Sequence, residues 1–154
     1  MALPRSRIAL ATALVVAVVL AGCGGSYEPA QPTPADFSGM VEHLAKAGIV
    51  VHDVVSGDAG CSDATLAATA IAFSASGLDQ TEPVRIRVYI FGTREAWGRL
   101  AGSVATCARS YVTDAATYES VAPSPFVVSG QGPWAPSFAA ALGSAFSAAA
   151  GTGG

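Results

Sequence analysis

Apolar residues recur at helical spacing in three segments of the chain. In residues 37–47 they fall at i, i+3, i+4 and i+7, and a glycine follows where a helix commonly ends. A second segment follows Thr93, a good N-cap residue. A third begins at Pro136, which suits the first turn of a helix. The apolar face of this third segment is formed by Phe138, Leu142, Ala145 and Phe146. The pattern therefore predicts three helices.

Four other segments favour β-strands. Residues 49–55 are β-branched, residues 126–128 form a short final strand, and residues 66–75 are interpreted as a strand although their alanines also favour a helix. The clearest strand is residues 84–91, which alternate strictly. One set of its side chains is expected to face a core: Val84, Ile86, Val88 and Ile90. The opposite face carries the other set: Arg85, Arg87, Tyr89 and Phe91.

The order of these elements predicts an α+β fold. Helix, strand, strand, strand, helix, strand and helix follow one another, with loops at residues 56–60 and 77–83 and a turn at residues 130–133. We expect a two-layer sandwich in which the three helices lie on a mostly antiparallel sheet of about four strands. A single domain is predicted over residues 36–148, followed by a disordered tail at residues 149–154.

The start of the chain has the organisation of a secretory signal peptide. Arg5 and Arg7 precede an apolar run, residues 8–20, that contains no charge, glycine or proline. The run is short for a membrane span, since a transmembrane helix needs about 20 apolar residues. A basic start, a short apolar run and small residues after it predict export and cleavage. The alternative is a transmembrane anchor over the same run.

The end of this run, LAGC at residues 20–23, resembles the lipobox of bacterial lipoprotein precursors. The resemblance implies that residues 1–22 are removed and that Cys23 carries lipid. About two or three acyl chains would then hold the protein firmly, since one chain alone binds a membrane only marginally. Residues 23–35, rich in proline and small residues, are expected to form a flexible tether. We therefore expect the protein on the outer face of the bacterial cell membrane.

Charge limits the partners of the body. The chain is 51% hydrophobic and 12% charged, with a formal net charge of −3. Loss of Arg5 and Arg7 with the signal peptide would leave six basic side chains against eleven acidic ones. Nucleic acids and anionic bilayer surfaces attract basic faces, so neither is expected as a partner. Membrane contact is predicted through the lipid on Cys23, and a further protein or envelope partner is left unidentified.

The two remaining cysteines, Cys61 and Cys107, form an even pair. In an exported protein such a pair most often forms a disulfide, because the compartment is oxidising. Closing this loop would stabilise the fold by about 4 kcal/mol in the loop-entropy model. A redox pair and metal ligation are the alternatives, but neither cysteine lies in a CxxC motif. His43 and His52 have no zinc-like spacing to them.

Four residues are candidates for a binding surface: Arg85, Arg87, Tyr89 and Trp134. If the arginine face of its strand is open, it forms an arginine–aromatic surface of the kind enriched in interfaces. If a helix covers that face, the guanidinium groups lie at the rim with the aromatic rings beneath, and this interpretation is favoured. Trp134, beside a proline turn, is more often a cap on the core.

No catalytic set is recognisable in the sequence, and no cofactor is expected. The G-x-S-x-G motif is absent, and the adjacent His52 and Asp53 point to opposite faces of a strand. Asp53, Asp58 and Asp63 are the best cation candidates, yet they lack a calcium-loop pattern, and solubilising loop acids explain them as well. The glycines of residues 129–134 lack the lysine and third glycine of a phosphate-binding loop. We therefore expect a protein that is not an enzyme.

The segment FVVSGQGPW and the helix after it loosely resemble small uncharacterised lipoproteins of high-GC Gram-positive bacteria. That resemblance covers a small part of the chain and implies no activity. The leading hypothesis is a non-enzymatic binding or envelope-interaction module. A solute- or lipid-binding lipoprotein with a pocket between sheet and helices is the alternative, and an enzyme of unknown type is the third.

Overall fold

A computed structural model describes residues 34–115 and 118–151. Its helices are α1 (Pro34–Lys46), α2 (Ala64–Ala67), α3 (Arg94–Ala108) and α4 (Pro136–Gly151). Its strands are β1 (Val50–Ser56), β2 (Ala70–Gly77), β3 (Gln80–Ile90), β4 (Tyr118–Val121) and β5 (Phe126–Gln131). The predicted α+β class is confirmed. The predicted signal peptide, Cys23 and the tether lie outside the described residues, except for the last two tether residues, which begin α1.

One antiparallel sheet forms the centre of the molecule, with the strand order β1-β2-β3-β5-β4. Ile86 of β3 lies opposite Phe73 of β2, and Val88 of β3 lies opposite Val128 of β5. β1 and β4 are therefore the two edges of the sheet. Among the described residues, no helix combines the length and the apolar content that crossing a bilayer requires.

α1 and α4 cover one face of the sheet and bury the larger core. Phe37 of α1 packs on Phe73 of β2 with 5.3 Å between ring centroids, and Phe126 of β5 packs on Phe146 of α4 at 5.9 Å. The apolar side of β3 faces this core, as the alternation predicts. Each large apolar side chain that is fully removed from water contributes about 1.5–3 kcal/mol, so this burial holds the helices on the sheet.

α3 covers part of the opposite face, where it buries a second core together with α2. Tyr89 and Phe91 of β3 and Val127 of β5 meet Val104 and Cys107 of α3 in this core. The expected two-layer arrangement therefore holds for α1, α4 and the sheet, whereas α3 adds a further layer. The difference arises because both faces of the central strands β3 and β5 carry apolar side chains that need cover.

In α3 and α4, side-chain oxygens accept N–H groups of the first helical turn. The Thr93 hydroxyl accepts from the Ala96 N–H at 3.1 Å and caps α3. α4 is capped from a distance, because the Asp79 carboxylate in the β2–β3 turn accepts from Ser137 and Phe138 at 2.9 and 2.8 Å. The hydrogen bond from the Ser137 N–H, and then that from the Phe138 N–H, hold the pKa of Asp79 below its usual value, because both bonds favour the ionised carboxylate.

A hairpin turn lies within the predicted loop at residues 77–83, but it is shorter than predicted. β2 and β3 extend into the loop and leave only Leu78 and Asp79 as the turn. Leu78 has a φ of 55°, a left-handed conformation that leucine rarely adopts, so the sequence does not indicate a two-residue turn at this position. Pro83 is tolerated in β3 because β5 pairs only with residues 86–90, which leaves this part of the strand without a neighbour on that side.

Three further boundaries differ from the prediction. The alanine-rich middle begins with the short helix α2 before β2, where the sequence favoured a strand throughout, because Asp63 caps that helix. β4 was not predicted, since two prolines follow it closely and its pairing with β5 gives no local signal. α4 continues to Gly151, past the predicted end of the domain at residue 148, and residues 152–154 lie outside the described residues.

Candidate functional site

Two arginines and one carboxylate meet on the α3 side of the sheet and are called the arginine cluster: Arg85, Arg87 and Asp58. Arg85 Nη2 lies 3.3 Å from Asp58 Oδ2, and Arg87 Nη2 lies 3.2 Å from Asp58 Oδ1. Arg85 Nη1 also donates to the Asp53 carbonyl at 3.0 Å. The side chain of Arg87 is 12% exposed and that of Arg85 is 35% exposed. The loop after β1 is thus tied to β3 by a partly buried ion-pair network.

The carboxyl group of Asp58 stays ionised in this cluster. Its partial burial raises its pKa, but the charge of Arg87 and the hydrogen bonds from Arg85, Arg87 and the Gly60 N–H together lower it by more. The balance places the pKa of Asp58 below its usual value. Both ion pairs are therefore present at neutral pH.

A hydroxyl network continues from Arg87 into the second core. The Arg87 guanidinium stacks on the ring of Tyr111, 4.1 Å from its centroid. Tyr111 Oη lies 2.6 Å from Ser129 Oγ and 3.4 Å from Tyr89 Oη, and Tyr89 donates to the Ala59 carbonyl at 2.8 Å. Burial, and then the hydrogen bond with Tyr111, raise the pKa of Tyr89, so its hydroxyl remains protonated. The network joins β3, β5 and the loop after β1.

The same loop requires a glycine at position 60. Gly60 has a φ of 77°, and a Cβ on it would collide with the Tyr111 ring and the Arg87 guanidinium. The loop therefore lies directly on these two side chains. This contact fixes the backbone just before Cys61 and holds that residue opposite Cys107 of α3. The arginine cluster thus has a structural role in positioning the disulfide.

The structure separates the four residues predicted for a binding surface. Tyr89 and Trp134 are 0% and 6% exposed, so their rings belong to the two cores and cannot meet a partner. Trp134 packs edge-on against Phe138 with 6.3 Å between centroids, and its indole N–H donates to the Gln131 carbonyl at 3.2 Å. The arginines lie at the rim of the face that α3 covers, which is the favoured interpretation. Arg85 is the most open of the four.

The three loop acids do not converge in the structure. Asp58 is bound by the arginines, Asp63 accepts from the N–H groups of Thr65 and Leu66, and Asp53 is exposed on β1. In the part of the chain that the structure describes, no three His, Cys, Asp or Glu side chains are grouped as a metal site requires.

A disulfide joins Cys61 and Cys107, as predicted, with 5.5 Å between their Cα atoms. A shallow depression of about 400 Å³ opens beside it and is called the disulfide pocket. Besides the two cysteines, its walls are formed by Ser62, Asp63, Ser103, Thr106 and Ser110. Cys61 is half-buried, whereas Cys107 is 5% exposed. The pocket is thus polar, carries one carboxylate and is lined by both cysteines, of which Cys61 is the more exposed residue.

Large apolar side chains are exposed along β1. Val50, Val54 and Val55 are 51%, 50% and 46% exposed, and Leu78 in the neighbouring turn is 52% exposed. These four residues are called the β1 edge patch. β1 is a terminal strand, so one side of its backbone has no partner strand among the described residues. The sequence predicts this strand but not its exposure. The exposure depends on which elements pack beside β1, and the β-branched run does not indicate them.

The pairing of β1 with β2 is interrupted by a bulge. The register changes between His52 and Val55, and Asp53 within the bulge has a φ of 51°. His52, Asp53 and the two valines after them are all exposed. The Asp53 carboxylate and the two valine side chains are therefore exposed along the same stretch of the edge strand.

Comparisons with known protein families, with curated proteins and with solved structures gave no match for this chain. Its surfaces are therefore interpreted from their own chemistry. Of those described above, the β1 edge patch combines exposed apolar side chains with backbone groups that can still pair.

Proposed function

We propose that this protein is a lipoprotein of the outer face of the bacterial cell membrane, anchored through lipid on Cys23, with a body that is a non-enzymatic binding module. The lipobox-like residues 20–23 motivate the anchor. The disulfide of the body suits an oxidising compartment. The β1 edge patch is the observation that carries the binding role.

The module binds its partner by adding a strand to β1. An edge strand offers a row of N–H and C=O groups with which an extended peptide can pair. Proteins commonly guard such edges with lysine, proline or a bulge; β1 (VVHDVVS) contains neither lysine nor proline, and its bulge is confined to the stretch between His52 and Val55. Completing the burial of each half-exposed valine would add about 1 kcal/mol to binding. Backbone pairing and apolar burial therefore act together at this edge.

The occupant is an extended segment of a second protein, apolar at alternate positions and basic opposite Asp53. The exposed carboxylate of Asp53 and the excess of acidic over basic side chains favour a basic partner. The tether of the protein itself fits poorly, because Pro29 and Pro32 lack the N–H groups that pairing needs. A second copy also fits poorly, because two bulged strands would interrupt each other's register.

If Cys23 carries lipid, the position of the start of α1 supports a binding edge near the membrane. α1 begins at Pro34, and Phe37 in its first turn packs on Phe73 of β2. Phe73 lies opposite the bulge of β1 at Asp53, so the start of α1 and the β1 edge are neighbours. An extended chain from Cys23 to α1 spans about 35 Å. The partner segment is therefore expected within roughly that distance of the bilayer.

A ligand pocket between the sheet and the helices has less support. Where α1 and α4 meet the sheet, the side chains form one continuous core. The fully buried members that fill it include Leu44, Phe73, Phe138, Leu142 and Phe146. A ligand would have to displace these side chains, whereas the β1 edge can bind without rearrangement.

Site-specific crosslinking in intact cells tests the binding mode. A photoreactive amino acid replaces Val54, and a matched one replaces Ala140, an exposed residue of α4. We expect a defined adduct at Val54 and none at Ala140. The crosslinked partner peptide should be extended, apolar and basic, and its synthetic copy should protect the β1 amides from hydrogen exchange. Val54→Lys should abolish that protection.

Equal adducts at both positions, or a captured peptide that leaves β1 amide exchange unchanged, would contradict strand addition. The anchor has a separate test in Cys23→Ser, which removes the thiol that would carry lipid and should abolish incorporation of labelled fatty acid into the protein. Incorporation that Cys23→Ser leaves unchanged, or wild-type protein that incorporates no fatty acid, would contradict lipid attachment at Cys23.

A further inference from the structure

We propose that Cys61 is a site of thiol–disulfide exchange in the folded protein, where a small polar thiol enters the disulfide pocket and attacks Cys61 Sγ. The observation is the combination of an open polar pocket with a disulfide whose two cysteine residues differ in exposure. The inference is independent of the proposed function, because it does not involve the β1 edge.

The two sulfurs lie in different surroundings. Cys61 is half-buried at the pocket, in the loop that precedes α2. Cys107 is 5% exposed and lies in the second core, where its Sγ is 3.2 Å from the Ala59 carbonyl oxygen. A thiolate attacks a disulfide at whichever sulfur it can reach, so access decides the product. Attack therefore occurs at Cys61, and Cys107 is the leaving group.

The reaction is a balanced exchange. The incoming thiolate forms a bond to Cys61 Sγ, the Cys61–Cys107 bond breaks, and its electron pair stays on Cys107 Sγ, which then takes a proton from solvent. The added thiol is oxidised into the mixed disulfide, and Cys107 is reduced. Tyr89 Oη lies 3.9 Å from Cys107 Sγ, but its proton is donated to the Ala59 carbonyl at 2.8 Å, so solvent supplies the proton that Cys107 takes up.

The walls of the pocket define the class of thiol. Hydroxyl groups of Ser62, Ser103, Thr106 and Ser110 can hydrogen-bond amide or hydroxyl groups, and about 400 Å³ suits a small molecule. The Asp63 carboxylate in the wall favours a cationic thiol over an anionic one, and the Arg109 guanidinium, which donates to Thr106 beside the wall, offsets part of that preference. At about 6 Å in aqueous surroundings, one unit of charge changes the rate about threefold. The pocket therefore takes a small, polar and neutral or cationic thiol.

Exchange at Cys61 leaves the loop attached to the sheet. The arginine cluster still holds Asp58, and Gly60 still lies on Tyr111, so the mixed disulfide frees the loop from α3 without requiring the fold to open. The modified state is thus a folded protein that carries a thiol adduct on Cys61 and a buried free thiol at Cys107.

The test uses the protein extracted in detergent from the membranes in which it is made. Cysteamine, 2-mercaptoethanol and 3-mercaptopropionate supply a cation, a neutral molecule and an anion, and the products are trapped in acid and located by peptide mapping. We expect at least about tenfold more early adduct at Cys61 than at Cys107. The rate should not change in low urea, because the reaction needs no unfolding.

After correction for thiol pKa, the rates should fall from cysteamine to 3-mercaptopropionate by about threefold per unit of charge. Asp63→Asn keeps an N-cap acceptor on α2 and should flatten the series, whereas Glu95→Gln, on the exposed first turn of α3, should leave it intact. Early adducts at Cys107, or a rate that rises with the unfolded fraction in urea, would overturn the proposal. If Asp63→Asn leaves the dependence of the rate on thiol charge unchanged, the thiol does not enter through the disulfide pocket, and that part of the proposal is overturned.

Discussion

Removal of the disulfide should weaken the fold by an amount that the loop length sets. The change is the double substitution Cys61→Ala and Cys107→Ala, which opens a loop with a sequence separation of 46. The chain-entropy relation gives about 13 cal/mol/K for this length, or about 4 kcal/mol at 25 °C. Because Cys107 is 5% exposed, loss of its sulfur adds a small cavity term of up to about 1 kcal/mol. We expect a loss of about 3–5 kcal/mol.

Urea denaturation followed by tryptophan fluorescence measures this loss and locates it. Trp97 packs against the α3 side of the sheet and Trp134 lies in the core under α4, so the two residues report on different layers. Single-tryptophan versions, Trp97→Phe and Trp134→Phe, separate their signals. The m-value should rise in the double variant, because its unfolded chain is less constrained. Reduced wild type should match the variant.

Both tryptophans should report the same transition, because the arginine cluster still holds the loop on the sheet when the disulfide is absent. A loss below about 1 kcal/mol would refute the chain-entropy reasoning and would mean that the loop stays ordered in the unfolded state. A Trp97 transition that clearly precedes that of Trp134 would refute the role given to the arginine cluster.

Four other substitutions, one of them a control, test separate contacts, each by urea denaturation. Asp58→Asn should lower the free energy of unfolding by about 1–3 kcal/mol, because it leaves Arg87 largely buried without its carboxylate, whereas Glu95→Gln in an exposed helical ion pair should lower it by less than about 0.5 kcal/mol. The pKa of Asp58 is lowered in the folded state, so its contribution is present above the ordinary value of about 4 and is lost as pH falls through the folded-state pKa. The difference between wild type and Asp58→Asn should therefore shrink in acid, and a constant difference would contradict the ion pairing. Phe73→Ala removes a fully buried ring and should lower the free energy of unfolding by about 3–5 kcal/mol, a value that a ring at the surface would not give. Val54→Lys changes a half-exposed side chain and should change stability by less than about 0.5 kcal/mol, so a large loss would show that β1 is covered.

Elements whose pattern is local could be predicted from the sequence. The alternation of residues 84–91 gives both the strand and its two faces, because each side chain's direction follows from its place in the strand. Thr93 marks the start of α3 for a similar reason, since capping involves residues only a few positions apart. The disulfide could be predicted because only two cysteines remained once Cys23 was assigned to lipid.

Features that join distant parts of the chain could not be predicted in this way. The arginine cluster depends on Asp58 meeting side chains about thirty positions later, and nothing near Asp58 indicates that partner. The cap of α4 comes from Asp79, again far along the chain. Tyr89 and Trp134 were candidates for a binding surface because aromatic residues favour interfaces, although a place in the core was the favoured interpretation of each, and both rings are used by the cores.

The intact mass of the protein extracted from membranes, with and without reduction, tests the central claim most directly. The account predicts a chain that begins at Cys23, carries acyl groups, and gains about 2 Da on reduction as the disulfide takes up two hydrogens. A chain that retains residues 1–22 and carries no lipid would contradict the lipoprotein assignment, and a mass that does not change on reduction would contradict the Cys61–Cys107 bond.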